Sequence, residues 1–349
     1  MIKETPPGQQ ESGREQSGRA LARMINGYWV TQLISTAARL NIADALAGGP
    51  QTAAALAERC GAHPRSLYRL LRALASLGIF AETEGNRFSL TPMAELLRSN
   101  VPGSLHGLAA YSGDPKHHRY DSWGGLHEAV LTGEPAFPKI TGMRPFAYLA
   151  ANPDIAKMFD AAMVSYTSES VGAVLAHYDF ARYAQIIDVG GGHGRLLAEI
   201  LKKHPAARGA VYELPHVLEG TRALFEREGL SGRASCSAGD FFKEVPAGAD
   251  LYILKSILHD WDDQKAVTIL KSCRRAMTER ARLLLVESVI PPGNEPGLGK
   301  LMDINMMVIH GGLERTHEEF SALLKEAGFE LTAVTMTGST VDLVEARPV

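Results

Sequence analysis

The sequence predicts an α/β fold, a mostly parallel sheet of seven strands with an antiparallel end, preceded by a smaller all-α, winged-helix-like N-terminal domain. Three observations carry this. From Tyr183 onward, short and continuously apolar runs alternate with single helical ones, the pattern of parallel strands covered on both faces. The last two apolar runs are joined through Gly338-Ser339, too short for the crossover that a parallel pair requires, so they should pair antiparallel. Before residue 100, two helical segments and two short strand-like pieces follow one another as a helix-turn-helix and hairpin would.

Composition narrows the function classes. The chain has 349 residues, 45% hydrophobic and 21% charged, enough for two or three domains. Lys and Arg number 36 against 39 Asp and Glu; such a balance creates no field that would draw in nucleic acid or an anionic membrane. No apolar run approaches the roughly 20 residues of a spanning helix, and the opening MIKETPPGQQESGREQSGR lacks the apolar core of a signal peptide. Cys60, Cys236 and Cys273 are scattered, forming neither a disulfide framework nor a zinc pattern. A soluble protein of a reducing compartment, the cytoplasm, is expected.

Residues 1–18, rich in Gln, Glu, Ser, Gly and Pro, read as a disordered tail. The winged-helix-like domain covers 19–103. Leu21, Met24, Ile25, Tyr28, Trp29 and Leu33 fall at helical spacing. Thr52 is placed to cap a helix that ends near Gly61, and Pro64 to open the next, whose apolar stripe is Leu67, Leu70, Leu71 and Leu74. Glu84-Gly85-Asn86 separates two hairpin strands. Arg65, Arg69 and Arg72 on the second helix could meet phosphates, but the same helix carries the leucine stripe and the chain is acidic, so a DNA-binding regulator is the weaker reading. Residues 104–180 form a helical linker and pocket region, and 181–349 the α/β domain.

The chemistry concentrates at strand ends. In IIDVGGGHGRLLAEIL, residues 186–201, a buried strand ends in Asp188, glycines occupy 190, 191, 192 and 194, and a helix follows at once. Glycine allows close backbone approach, while the acid at the loop entrance suits an ammonium or sulfonium better than a phosphate. Glu213, followed by Leu214, ends the second strand, where an acid can accept from both ribose hydroxyls. Gly239-Asp240-Phe241 ends the third, offering a carboxylate to an adenine amino group and an apolar wall. Asp188, Gly190, Gly192, Glu213, Leu214, Gly239, Asp240 and Phe241 thus outline a neutral or cationic nucleoside site. The fourth strand leads through Lys255 to His259-Asp260-Trp261, at the switch point where doubly wound sheets bind ligands. An imidazole with a pKa of about 6.5 can take a proton from a hydroxyl near neutral pH. Asp260 and Asp262-Asp263 are placed to charge and cap the next helix, with Asp260 also a candidate on the substrate side.

DVGGGHG, the acid of YELPHV, GDFF, LKSILHDWDDQ, VESVIPP and GGLERTHEEFSALLKEAGF, in this order, resemble the S-adenosylmethionine-dependent O-methyltransferases of the plant caffeate and bacterial antibiotic-tailoring type over residues 20–349. The resemblance implies a Rossmann-like class I methyltransferase domain and an N-terminal domain that forms a homodimer and closes the partner's pocket. It also implies a cofactor held by Gly190, Glu213, Asp240, Phe241 and Lys255, with His259 as general base between Glu287 and Glu314. Glu at 213 replaces the commoner Asp, Asp-Phe stands at 240–241 where Asp-Met also occurs, and the loop between His310 and Gly311 is shorter than in plant members.

A methyl on a sulfonium is already activated, so positioning dominates. The enzyme must make a phenol of pKa about 10 nucleophilic, and a base serves that end. Glu287, at the end of RLLLVE, is expected to orient His259 and stabilise its imidazolium. Trp123, Phe146, Phe159, Met163, Met302 and Met306 with Met307 would make an adaptable apolar wall for a planar aromatic, with Asp303 and Asn305 as the polar contacts. No metal is expected, because no ligand spacing supports one at His259 and His310. Methyl transfer to nitrogen or carbon and an inactive cofactor-binding protein are the remaining alternatives.

Overall fold

The structure is a computed structural model that describes residues 13–349, apart from the side chains of 166–169. Most of the expected tail, residues 1–12, lies outside the described residues. Its remainder differs from expectation: a helix runs Gly13–Ile25, where the exposed polar residues cost little in helical form. The chain divides into two compact units, one reaching to Asp114 and including Met158–Ala162, the other comprising Pro115–Lys157 and Met163–Val349. The 104–180 region is therefore split between them.

In the first unit, Thr52 accepts from the Ala55 N–H at 3.2 Å to start the helix Ala53–Cys60, and Pro64 opens Pro64–Ser76. Leu67, Leu71 and Leu74 are buried on its inner face with Leu56, Phe80 and Phe88. The hairpin Phe80–Thr83 and Arg87–Leu90 is antiparallel as expected. A two-residue strand, Gln51–Thr52, joins it as a third, too short to leave a pattern in the sequence.

The second unit is built on β1 (Gln185–Val189), β2 (Arg208–Glu213), β3 (Ala234–Ala238), β4 (Leu251–Lys255), β5 (Arg282–Glu287), β6 (Phe329–Thr335) and β7 (Asp342–Pro348) in the order β6-β7-β5-β4-β1-β2-β3. The first five are parallel, and β7 inserts antiparallel between β5 and β6. Alternation assigns the two faces: Ile187, Val189, Leu254, Leu283 and Leu285 enter one core, while Ile186, Val211, Ile253, Leu284 and Val286 enter the other. Parallel pairing brings the carboxyl ends of β1, β2, β4 and β5 to one edge, so Asp188, Glu213, Lys255 and Glu287 share it. Among the described residues no helix is long and apolar enough to cross a membrane.

Candidate active site

The glycine loop begins where β1 ends. The Gly190 N–H donates to the Tyr212 carbonyl at 2.8 Å, extending the ladder by one bond, and Gly190 then takes φ +70°, with Ile257 and Phe241 against it. At Gly191 the constraint is space: a Cβ there would sit 2.6 Å from the Asp188 carboxylate. At Gly192 nothing lies within 4 Å of a Cβ position, so this is the open stretch of the cradle. Gly194 caps the helix Arg195–Lys203.

Asp188 is 1% exposed, and neither of its carboxylate oxygens has a hydrogen-bond partner among the described residues. Burial pushes its pKa up to about 7, with Lys255 opposing and Glu213 adding to the rise. Such an arrangement costs the folded chain free energy unless a cation or donors arrive. The Glu213 carboxylate accepts from the Gly192 N–H at 3.2 Å and the Leu214 N–H at 2.7 Å, which ties it to the loop. A Cβ on Gly239 would fall 2.0 Å from the Tyr212 hydroxyl, so the β3 exit requires glycine there. Asp240 accepts from the Phe242 N–H at 3.0 Å, and Phe241 lies over Gly190. Burial lowers the pKa of Lys255, against the pull of Asp188 and Glu287. Lys255 is thus the cation common to the loop and to the second cluster.

That second cluster surrounds His259. The turn Leu258–Asp260 follows β4, which pairs directly with β1. Nδ1 of His259 lies 2.8 Å from Glu314 Oε1 and 3.8 Å from Glu287 Oε2. The expected orienting role of Glu287 is altered: its Oε1 accepts the N–H groups of Ile257 and Leu258 at 2.9 and 2.8 Å, because β5 ends directly beneath the turn. Glu287 holds the backbone, and Glu314 orients the ring. Burial alone would lower the His259 pKa, but Asp260, Glu287 and Glu314 overcome it and raise it to about 10. The unperturbed value of the sequence reading is therefore superseded. Burial raises Glu287 to about 7, with His259 opposing.

Asp262 caps the next helix as expected, accepting from Lys265 N–H at 2.9 Å. Asp260 instead lies between two imidazoles, 3.8 Å from His259 Nε2 and 3.3 Å from His310 Nδ1. On the aromatic side, the Trp123 indole N–H donates to Asn305 Oδ1 at 3.3 Å, and the Asn305 amide reaches Met302 Sδ at 3.7 Å. Phe146 stacks on Trp261, ring centroids 6.2 Å apart, and tilts against His310. Met306 is buried and Met163 half-buried. Phe159 belongs to the first unit, edge-on to Tyr111 at 5.9 Å. Asp303 is engaged by the Glu314 N–H at 3.0 Å. Trp261 and His310, read from the sequence as the neighbour of His259 and as a second imidazole weighed for a metal, lie instead with Phe146 on the aromatic side. Arg315, 1% exposed, had no role in that reading, because it follows a charged residue and only burial distinguishes it from a surface side chain.

Known proteins resemble this chain over nearly its whole length. Residues 123–330 match the O-methyltransferase domain and residues 22–100 the O-methyltransferase dimerisation domain. A phenazine O-methyltransferase of Lysobacter antibioticus is 44% identical over 94% of this chain and 96% of its own. The solved mitomycin 7-O-methyltransferase is 35% identical, covers 96% of this chain and 99% of its own, and superimposes with a TM-score of 0.88. An O-methyltransferase from neocarzinostatin biosynthesis, solved with S-adenosyl-L-homocysteine and 1,4-dihydroxy-2-naphthoic acid, is 33% identical over 92% of this chain and 96% of its own, with a TM-score of 0.78. With a family model matching residues 123–330 and relatives alike over nearly the whole length, the chain belongs to the O-methyltransferase family.

Proposed function

We propose that this chain transfers the methyl group of S-adenosylmethionine to a hydroxyl of a small aromatic acceptor, with His259 as the general base. The 2.8 Å contact between His259 Nδ1 and Glu314 carries the reading. The residues at the strand ends suit the cofactor: the unpartnered carboxylate of Asp188, the acids Glu213 and Asp240, and an open glycine stretch at 192 favour a cationic nucleoside. S-adenosylmethionine, when bound, supplies a methyl group on a sulfonium, already activated for transfer.

With Nδ1–H directed at Glu314, loss of a proton from the imidazolium frees Nε2 to act as base. Nε2 takes the hydroxyl proton, and the nearby acids Asp260, Glu287 and Glu314 stabilise the cation that forms. The flanking acids raise the proton affinity of His259, which brings it towards that of a phenol of pKa about 10 and eases the transfer. The aromatic set of Trp261, Phe146 and Trp123 supports a planar acceptor of the kind the solved neocarzinostatin relative holds. On the first unit, Met24, Ile25, Tyr28 and Trp29 are all more than half exposed; this apolar strip, within the dimerisation match, supports a homodimer. No nucleic acid, membrane or metal is part of the proposal.

The test is incubation of the purified protein with methyl-labelled cofactor and a panel of hydroxy- and amino-aromatics, with the methylated atom identified by NMR. O-methylated products support the reading; products methylated exclusively on nitrogen or carbon, or a requirement for added metal, overturn it. A pH profile adds a second measurement. The active base is the neutral imidazole, so a pKa raised to about 10 means that activity is lost as pH falls through that region. kcat/KM is expected to climb with pH on an acid limb well above the unperturbed value of about 6.5. Acceptors of different hydroxyl pKa identify the enzyme's own limb as the one that does not move. An enzyme limb near the unperturbed value contradicts the geometry.

A further inference from the structure

We infer that Arg315 is a positioning residue: it ties the segment carrying Glu314 to the turn carrying His259 and so sets the distance between the two. The inference rests on the reading of His259 as base.

The guanidinium is buried, and every nitrogen is used. Nη1 donates to the carbonyls of Leu258 at 3.1 Å and Leu313 at 3.3 Å. Nη2 donates to the Trp261 carbonyl at 3.0 Å and to Asp263 Oδ1 at 2.8 Å, and Nε reaches the same oxygen at 3.0 Å. Leu258 and Trp261 bracket His259 on either side, while Leu313 adjoins Glu314. One side chain therefore grips both members of the pair by their backbones. The segments also meet directly, since a Cβ on Gly312 would lie 2.1 Å from the His259 carbonyl oxygen. Asp303 fixes the Glu314 N–H from the helix Leu298–Ile309. A planar fork can serve three carbonyls and a carboxylate at once, whereas a lysine ammonium offers a single point of charge.

The charged and titratable groups facing His259 are Asp260, Glu287 and Glu314, with His310 behind Asp260. Asp260 lies in the same turn as His259, between the two carbonyls that Arg315 grips, and keeps its place beside the ring, whereas Glu314 reaches the ring from the other segment, the one whose distance Arg315 sets. Loosening that segment should weaken the Nδ1 contact, lowering both the rate and the pKa of His259.

The experiment compares Arg315→Lys and Asp263→Asn, each alone and in a Glu314→Gln background. The Asp263 side chain is 69% exposed, so its amide variant tests the strut even where Arg315→Lys fails to fold. Expected for each single variant is a loss of about tenfold in the plateau kcat reached above the acid limb, acceptor KM and S-adenosylhomocysteine Kd within about twofold, and an acid limb moved to lower pH. In the Glu314→Gln background the same substitutions should change kcat by less than about twofold, the non-additivity of residues acting through one another. Equal losses in both backgrounds, an unmoved limb or an unchanged kcat overturns the inference. His259→Ala, run alongside, separates the failures: wild-type turnover there removes the base reading and this inference with it, whereas low turnover there with additive Arg315 effects removes this inference alone.

Discussion

Replacing His259 with alanine is expected to lower kcat about 10³-fold while leaving S-adenosylhomocysteine affinity within about twofold, because general-base catalysis contributes roughly 10²–10⁴. The two halves of that result have separate structural origins. The glycine loop is held by bonds from the Gly190 N–H to the Tyr212 carbonyl and from the Gly192 N–H to the Glu213 carboxylate, neither of them through the imidazole. In the proposed mechanism the proton goes to His259, with Glu314 on Nδ1 and Nε2 as the accepting nitrogen. Single-turnover methyl transfer and calorimetry measure the two quantities independently. Turnover within about tenfold of wild type would show that the hydroxyl loses its proton elsewhere, and a parallel loss of cofactor affinity would show that the ring is structural.

Asp188→Asn should produce opposite effects on stability and binding. The wild-type carboxylate is buried with neither oxygen partnered among the described residues, and its pKa rises from 3.8 to about 7. The folded state therefore retains its proton where the unfolded chain has lost it. By linkage, the cofactor-free protein loses stability from this group as pH rises across that interval. The isosteric amide carries no charge to desolvate and has only the smaller cost of a buried neutral polar group, so the thermal midpoint at pH 7 should rise by a few degrees and lose that part of its pH dependence. The same change removes the negative charge offered to a cationic ligand. S-adenosylmethionine affinity is expected to fall about 10–100-fold, and that of S-adenosylhomocysteine, without the sulfonium charge, by less. Thermal scans at pH 5 and 7 and titration calorimetry with both ligands test this. A variant that is both less stable and equally tight in binding would mean that Asp188 is a structural anchor.

Much of the molecule was legible in its residues. Apolar runs spaced by helices described a sheet covered on both faces, and the short Gly338-Ser339 link implied the antiparallel β6–β7 pair that is observed. Thr52, Pro64 and Asp262 sit at the helix starts that their chemistry favours. These features are local, each decided by a periodicity or by the side chain of one capping residue. Position at a strand end was equally readable, because parallel pairing brings successive carboxyl ends to one edge whatever the register of distant contacts.

Which acid orients the histidine was decided only by the tertiary structure. Glu287 and Glu314 both approach His259, yet Glu287 spends one oxygen on two backbone N–H groups while Glu314 takes the ring. Likewise Asp260 turns from its helix towards His310, and Arg315, which looks like a surface charge, becomes a buried strut. Local pattern along the chain was enough to define the sheet, its helices and the set of polar groups delivered to its edge. Partners within that set, and the climb of His259 to about 10, came from loops separated by dozens of residues. Charge interactions depend on distance and burial, and neither is encoded in spacing along the chain.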